Sequence, residues 1–137
     1  MERIRHKTQF DAVLSAPPLA KTLHFALHMA DISAHVDAAG LFPGGGTWLG
    51  VMVPKRWARR AVTRNTLKRQ IYAVARELEP SLPAQALVVR LRSGFSRQEF
   101  VSATSEALRR VARAELHSLL GERLTRRLAS LERGARA

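Results

Sequence analysis

The sequence predicts a small α/β (α+β) two-layer sandwich, in which helices pack on one small, mainly antiparallel or mixed sheet. Three observations support this fold class. Short apolar segments with strand character recur along the 137 residues, a helical periodicity separates two of them, and segments rich in proline or glycine lie between elements. The predicted order is helix, strand, strand, helix, strand, helix. We expect one domain at residues 1–120 and a basic C-terminal tail at residues 121–137.

The N-terminal segment predicts one short helix and one strand. The helix runs from about Ile4 to Leu14 and ends before two prolines, because proline cannot continue a helix. In residues 23–30, large apolar side chains alternate with a set that includes His24 and His28. This period of two predicts a strand with one core face and an outward face that carries the histidines.

The next segment predicts a loop followed by a second strand. Residues 31–47 contain four glycines and one proline, which favours a long connection, although a weak extra strand near residues 31–36 remains an alternative. The apolar run at residues 48–53 ends at a proline and predicts a strand. Residues 86–92 have the same character, so they predict the third strand.

Residues 59–78, between the second and third strands, have the periodicity of a helix. At about 100° per residue, one narrow stripe of this helix is apolar and predicts contact with the core: Leu67, Ile71, Val74 and Leu78. An adjoining arc of the same helix carries cationic side chains, so one face is expected to be buried and the neighbouring face exposed.

The C-terminal third predicts a long helix and then a basic tail. Ser96 and Glu99 have the spacing of a capping box, which marks the start of a helix. The stripe expected to be buried consists of small and apolar residues: Phe100, Ala103, Ala107, Val111 and Ala114. Beyond Gly121 the chain is rich in Arg, Ala and Leu, and either a partly helical or a disordered tail fits this composition.

Net charge is the property that limits function most. The chain has 23 Lys and Arg against 11 Asp and Glu, a formal charge of +12, which favours a polyanionic partner. Nucleic acid is the first candidate. A membrane partner is not expected, because no run approaches the ~18 apolar residues of a spanning helix. The charged N-terminus does not resemble a secretory signal, so we expect a cytoplasmic protein.

The strongest cluster of candidate functional residues lies where the second predicted strand leads into the following helix. Guanidinium groups bind phosphate oxygens bidentately, and asparagine can contact sugar or base edges. A solvated helix face is the alternative, but such faces normally mix both signs of charge, whereas residues 55–76 contain no acid. We therefore predict RNA contacts from a set of eight residues: Lys55, Arg56, Arg59, Arg60, Arg64, Asn65, Lys68 and Arg69.

This cluster contains the pattern Arg60-x-x-x-Arg64-Asn65-x-x-Lys68-Arg69. The pattern resembles the signature helix of the bacterial ribonuclease P protein family. The resemblance implies a left-handed βαβ crossover around this helix, which binds the RNA subunit. It also implies that the RNA subunit cleaves precursor tRNA with magnesium, and that the protein promotes this 5′ maturation. Thr66 departs from the family pattern, in which a third cation usually stands, so one contact is expected to be missing or weakened.

The resemblance also implies a cleft between the first helix and the sheet, which holds the single-stranded 5′ leader. Phe10 matches an aromatic residue that lines this cleft in the family. From the residues alone, Phe10 fits a core position equally well. His24 and His28 join the predicted cleft because imidazoles on an outward strand face can stack on bases or donate to phosphate.

Other chemistries have weaker support in the sequence. His24 and His28 would suit zinc on a helix, but on a strand they lie ~13 Å apart. The acids show no tight pairing of the nuclease type, so we expect no catalytic or metal-binding side chain and magnesium held mainly by RNA. Ribonuclease P RNA and precursor tRNA are the expected partners, with no obligate protein partner. A ribosomal or ribosome-assembly protein is the alternative, and a DNA-binding protein lacks a helix-turn-helix.

Overall fold

The computed structural model of the chain describes residues 1–32, 40–95 and 106–136. Its strands are β1 (Glu2–Arg3), β2 (Ala20–Lys21), β3 (Phe25–Ala30), β4 (Trp48–Met52) and β5 (Ala86–Leu91). Its helices are α1 (Lys7–Leu14), α2 (Ala61–Glu77), α3 (Glu106–His117) and α4 (Leu124–Arg136). A 3₁₀ turn follows α2 at Glu79–Ser81, and a π-helical segment, Ser118–Arg123, joins α3 to α4.

The strands form one mixed five-stranded sheet in the order β1-β4-β5-β3-β2. β4 pairs in parallel with both β1 and β5, whereas β3 is antiparallel to β5 and β2. Adjacent parallel strands need a crossover connection, and α2 supplies it between β4 and β5. The predicted fold class, an α+β sandwich with a mixed sheet, is confirmed. The left-handed sense of the β4-α2-β5 crossover stays a prediction.

Helices cover both faces of the sheet, so two hydrophobic clusters form. Phe25 and Leu27 of β3 point to the larger cluster, which includes side chains of α2, α3 and the π-helical segment. The opposite face of the sheet packs with α1 in a smaller cluster that includes Ala30 and Val88. The prediction that the histidine face of this strand points outward is therefore wrong for His28, which is only 4% exposed.

The first helix is shorter than predicted. Residues Glu2–Arg3, just before the predicted helix, form β1, and the pairing continues into the predicted helix, where the amide of Ile4 donates to the carbonyl of Leu49 at 2.9 Å. α1 begins only at Lys7. Gln9 holds this start: its side-chain oxygen accepts from the amides of residues 5 and 6, both at 3.1 Å. A parallel pairing with a distant strand is not visible in the local periodicity, and this is why the prediction started too early.

The core stripe predicted for α2 is confirmed in its first three positions, since Leu67, Ile71 and Val74 are fully buried. Leu78 is half-buried beyond the helix end. These residues hold α2 against the sheet, and each fully buried aliphatic side chain contributes about 1.5–3 kcal/mol. The opposite side of α2 is thereby presented to solvent.

The stripe predicted for the last helix is wrong within the described residues. Ala107 is only half-buried, Val111 is 39% exposed and Ala114 is exposed, whereas three other residues are buried: Leu108, Ala112 and Leu116. Two stripes of this helix are apolar, and the one with leucines buries more area. The capping box at residues 96–99 and the predicted core residues 100 and 103 lie outside the described residues.

The basic tail predicted beyond residue 120 is helical. The π-helical segment buries Leu119 and Leu120, and α4 starts with Leu124, which is 1% exposed in the larger cluster. Leu128, one turn later, packs against the same cluster. The first turns of α4 are therefore part of the packed structure.

Candidate nucleic-acid interface

A tight turn between β4 and α2 presents the first three predicted RNA-binding residues. The amides of Trp57 and Ala58 both donate to the carbonyl of Pro54 at 3.1 Å, which closes the turn. Three cationic side chains of this turn are exposed: Lys55, Arg56 and Arg59. Proline at the end of a strand and Ala58 buried beneath the turn explain why the chain reverses here.

Arg60 and the first half of α2 continue this cationic surface. Arg60 has extended backbone angles and stands at the N-cap of the helix. Asn65, Lys68 and Arg69 are all exposed on the helix itself. Within residues 1–32, 40–95 and 106–136, no ion pair involves any of these side chains. Their charge is therefore available to an external anion.

Arg64 differs from the other predicted contacts. Its Nη1 donates to the carbonyl of Ala58 at 3.0 Å and to that of Arg59 at 2.7 Å, and the residue is half-buried. The guanidinium thus ties the first turn of α2 to the preceding loop. Arg64 therefore bends back toward the loop instead of extending along the helix.

Thr66, which departs from the family pattern, lies away from the exposed cationic face. It is 7% exposed, and its hydroxyl donates to the carbonyl of Val62 at 2.9 Å. This i−4 hydrogen bond satisfies the buried hydroxyl within the helix. The effect of Thr66 on RNA affinity stays a prediction, but the position is a packed one in this chain.

Phe10 lies between α1 and the sheet, as the predicted cleft requires. It is half-buried and packs with the smaller cluster. Its ring lies directly over Gly50 of β4, where an added Cβ would be 2.6 Å from Phe10 Cε1. The absence of a side chain at Gly50 therefore allows this ring to approach the sheet.

His28 lies on the same side of the sheet but is buried in a hydrogen-bonded chain. Its Nδ1 is 3.0 Å from the carbonyl oxygen of Ala16, and its Nε2 accepts from Nε of Arg90 at 3.0 Å. Both contacts are satisfied by a neutral ring with its proton on Nδ1. Burial lowers the pKa of His28; the Ala16 carbonyl opposes this and the Arg90 charge adds to it. A stacking role for His28 does not fit this burial, whereas it can orient Arg90.

His24 is held elsewhere. Its amide donates to Glu115 Oε1 at 2.7 Å, and its Nδ1 is 2.6 Å from the other carboxylate oxygen. The imidazole also stacks on Phe95, with ring centroids 3.8 Å apart. These contacts fix His24 to α3, on the face of the sheet opposite α1. The structure thus does not bring the three predicted cleft residues together.

Three residues near these surfaces are not in the predicted set. Arg90 follows from a signal in the sequence, a charged side chain inside an otherwise apolar strand. Arg3 and Tyr72 lie in contact at the far end of the α2 face, with the Arg3 guanidinium carbon 4.0 Å from the ring centroid. Their contact depends on β1, which the periodicity did not predict.

The acidic residues do not form a metal site in the part of the chain that the structure describes. No group of three or more His, Asp or Glu residues in these ranges could hold a metal ion. Several acids have side-chain partners: Asp11 contacts Lys7, Glu77 contacts Arg113, and Glu115 contacts His24. Among the described helices, none has the length and apolar character needed to cross a membrane.

Comparisons with known proteins agree with this arrangement. A family model described as Ribonuclease P matches residues 1–115. The Ribonuclease P protein component of Bordetella parapertussis is 39% identical over 114 residues, covering 83% of this chain and 85% of that protein. The component of Ralstonia pickettii is 34% identical over 117 residues, covering 85% and 75%.

Solved structures show the same fold. The Staphylococcus aureus RNase P protein aligns with a TM-score of 0.64 at 16% identity, over 88% of this chain and 93% of that one. The RNase P protein from Thermotoga maritima aligns with a TM-score of 0.61 at 19% identity, over 89% and 97%. At such low identity the likeness concerns the fold.

Proposed function

Because this chain belongs to the ribonuclease P protein family, we propose that it binds the RNA subunit through the surface formed by the β4–α2 turn and the exposed side of α2. The chain is a protein component of ribonuclease P, an endoribonuclease that acts in tRNA processing. The residues proposed for the interface are those with exposed side chains: Lys55, Arg56, Arg59, Arg60, Asn65, Lys68 and Arg69.

One observation supports this surface above all. Six cations and one amide are exposed together, and no carboxylate of the described residues pairs with any of them. A cationic surface of one sign repels itself, so a polyanion that covers it lowers the electrostatic free energy. Arg64 supports the interface indirectly, since its hydrogen bonds to the loop carbonyls fix the position of Arg59.

Cleavage itself belongs, in this proposal, to the RNA subunit. The magnesium ion is likewise assigned mainly to RNA phosphates, which are oxygen ligands of the kind that the ion prefers. The protein reduces the repulsion between closely packed phosphates and thereby lowers the magnesium concentration that the RNA needs. No protein side chain acts as acid, base or nucleophile.

The proposed binding site of the 5′ leader of precursor tRNA is the α1 side of the sheet. Phe10 supports this role, since its ring is half-buried and offers a surface for one base. Arg90 adds a cation on the same side, oriented by His28. His24 is left out of this site because Glu115 and Phe95 occupy its ring.

The decisive experiment measures 5′-leader cleavage of a precursor tRNA by a bacterial ribonuclease P RNA at low magnesium, with and without this protein. Strong stimulation by the protein, together with no cleavage by the protein alone, is expected. The variants Lys68→Ala and Arg69→Ala should each weaken RNA binding and reduce the slope of log K against log salt by about 0.7–0.9. Arg110→Ala, which removes an exposed cation from α3, is the matched control.

A second arm tests the leader site with precursors that have or lack a leader. Phe10→Leu keeps an apolar side chain over Gly50 but removes the aromatic surface, so only the leader-bearing precursor should lose affinity, by about 1–3 kcal/mol. Tight RNA binding without stimulated cleavage would refute the subunit function and favour a ribosomal or ribosome-assembly protein.

A further inference from the structure

The exposed face of α2 continues past the signature positions into a pocket against β1. This pocket has a volume of about 430 Å³ and is called the Arg3–Tyr72 pocket below. One wall is the edge strand β1, which contributes Arg3. The other is a single face of α2, because positions three, four and seven apart lie in line on a helix. Its lining residues from α2 are Asn65, Lys68, Arg69, Tyr72, Ala73 and Arg76.

The sheet holds Arg3 in place against the helix. The residues on either side of Arg3 are both hydrogen-bonded to the neighbouring segment. The amide of Glu2 donates to the carbonyl of Thr47, just before β4, and the amide of Ile4 donates to the carbonyl of Leu49 in β4, both at 2.9 Å. The guanidinium of Arg3 then lies over the ring of Tyr72, 4.0 Å from its centroid. Tyr72 is half-buried and packs partly against the larger cluster, whereas Arg3 is exposed. The stacked pair is therefore anchored on its inner side and accessible on its outer side.

A guanidinium stacked on an aromatic ring offers a flat cationic surface. Unpaired bases of RNA stack on such guanidinium planes and on aromatic rings. The phenol hydroxyl of Tyr72 adds a group that can donate or accept a hydrogen bond. The proposed interface has one other guanidinium–aromatic contact, Arg56 with Trp57 at 5.3 Å, which is longer and has no hydroxyl on its ring.

The charge around this pair suits a phosphate. Lys68, Arg69 and Arg76 are exposed around the pocket, and none of its lining residues among those described is acidic. The next acids along the chain have partners of their own. Glu77 pairs with Arg113 and His117 of α3, and Glu79 accepts from the terminal ammonium of Met1 at 2.7 Å.

We propose that the Arg3–Tyr72 pocket binds one unpaired nucleotide of the RNA subunit. The base stacks on the Arg3 guanidinium, and the adjoining phosphate contacts Arg69 and Arg76. The site extends the interface to β1 and to the second half of α2. It rests on the proposed function, since it assumes the same RNA partner.

The first test compares affinities for a bacterial ribonuclease P RNA by filter binding. Arg3→Lys keeps the charge of this exposed residue but removes the guanidinium plane. Stacking on one base corresponds to about a 5- to 150-fold change in affinity, so Arg3→Lys should weaken binding at least about fivefold. Arg110→Ala, which loses a whole charge at a residue that does not line the pocket, should change it less. Equal affinity of Arg3→Lys and the unaltered protein would overturn the proposal.

The second test uses the single tyrosine of the chain. Replacement by 3-fluorotyrosine places one fluorine on Tyr72, and its resonance is followed while the unpaired oligonucleotide nonaadenylate is added. A shift that saturates, and that requires more RNA in Arg3→Lys, is expected. An unchanged resonance at the highest RNA concentration overturns the pocket as a nucleotide site. If the unaltered protein binds the RNA subunit in the first test, the proposed function survives that result; without such binding both fail.

Discussion

Gly50→Ala should destabilise the protein and displace the ring proposed to contact the leader. The new Cβ would lie 2.6 Å from Phe10 Cε1 and 3.1 Å from both Phe10 Cζ and Ile4 Cβ. Carbon atoms in contact prefer about 3.5–4.0 Å, so the ring must move by about 1 Å. Ile4 is held by its backbone bond to β4 and cannot retreat as easily. Overpacking of this kind costs about 1–3 kcal/mol, and we expect the free energy of unfolding to fall by that amount.

The measurement is urea unfolding of four proteins: the unaltered chain, Gly50→Ala, Phe10→Ala and the double variant. Removing the ring of Phe10 removes two of the three close contacts, so Gly50→Ala should cost less in the Phe10→Ala background. A coupling of about 0.5–3 kcal/mol is expected for residues in contact. Additive costs, within about 0.3 kcal/mol, would show that Phe10 does not lie over Gly50 and would refute the reasoning. Equal slopes against urea confirm that all four unfold alike.

Two further predictions concern His28 and α4. The fold lowers the pKa of His28 below its ordinary value of 6.5, so protonation favours the unfolded chain. The contribution of the neutral His28 ring to the free energy of unfolding is therefore fully present above about pH 6.5 and is lost as the pH falls toward the folded-state pKa. This loss is at most about 1.4 kcal/mol per pH unit. The stability difference between the unaltered protein and His28→Gln should shrink from pH 7 to pH 5.5 in urea unfolding; parallel pH profiles would contradict this. Leu124→Ala should lower the free energy of unfolding by about 2–5 kcal/mol, whereas Leu131→Ala, at a position 46% exposed, should change it by less than about 0.5 kcal/mol. Equal effects of the two would show that α4 does not pack through Leu124.

Local periodicity correctly predicted the elements whose burial does not depend on distant parts of the chain. The core stripe of α2 is an example, because Leu67, Ile71 and Val74 are large apolar side chains on one side of the helix and must face the sheet. The strand at Phe25–Ala30 was also predicted, but not the burial of its second face. An alternating strand specifies two faces, and only the position of α1 decides whether the histidine face meets water.

The prediction of the last helix failed because two stripes are compatible with one sequence. At about 100° per residue, Val111 and Ala114 lie about 100° and 160° from Ala112, so the two stripes occupy different sides of the helix and exchanging the buried set needs a rotation of about 130°. Leu108 and Leu116 bury more apolar area than the alternative set, and the helix rotates accordingly. Side-chain volume, more than hydrophobic class, was the informative quantity here.

The cationic surface was predicted more completely than the cleft. Spacings of three and four fix a helix face without knowledge of the partner, and the exposed positions Asn65, Lys68 and Arg69 follow from that rule alone. Hydrogen bonds to distant groups do not follow from it. Neither the turn of Arg64 toward the carbonyls of residues 58 and 59 nor the capture of His24 by Glu115 could be predicted from spacing.

Thr66 shows how the two kinds of information combine. Thr66 lies about 100° from Asn65 around α2, at the border between the exposed face and the core stripe. Because its side chain is buried, the position is not a surface site in this chain. The resemblance leads one to expect a cation there, whereas this chain has further cations on the exposed face of α2, at Arg76, and across the gap to β1, at Arg3. An RNA contact depends on where a charge is presented and not only on how many charges a helix carries, so Arg76 and Arg3 extend the proposed interface toward the sheet edge.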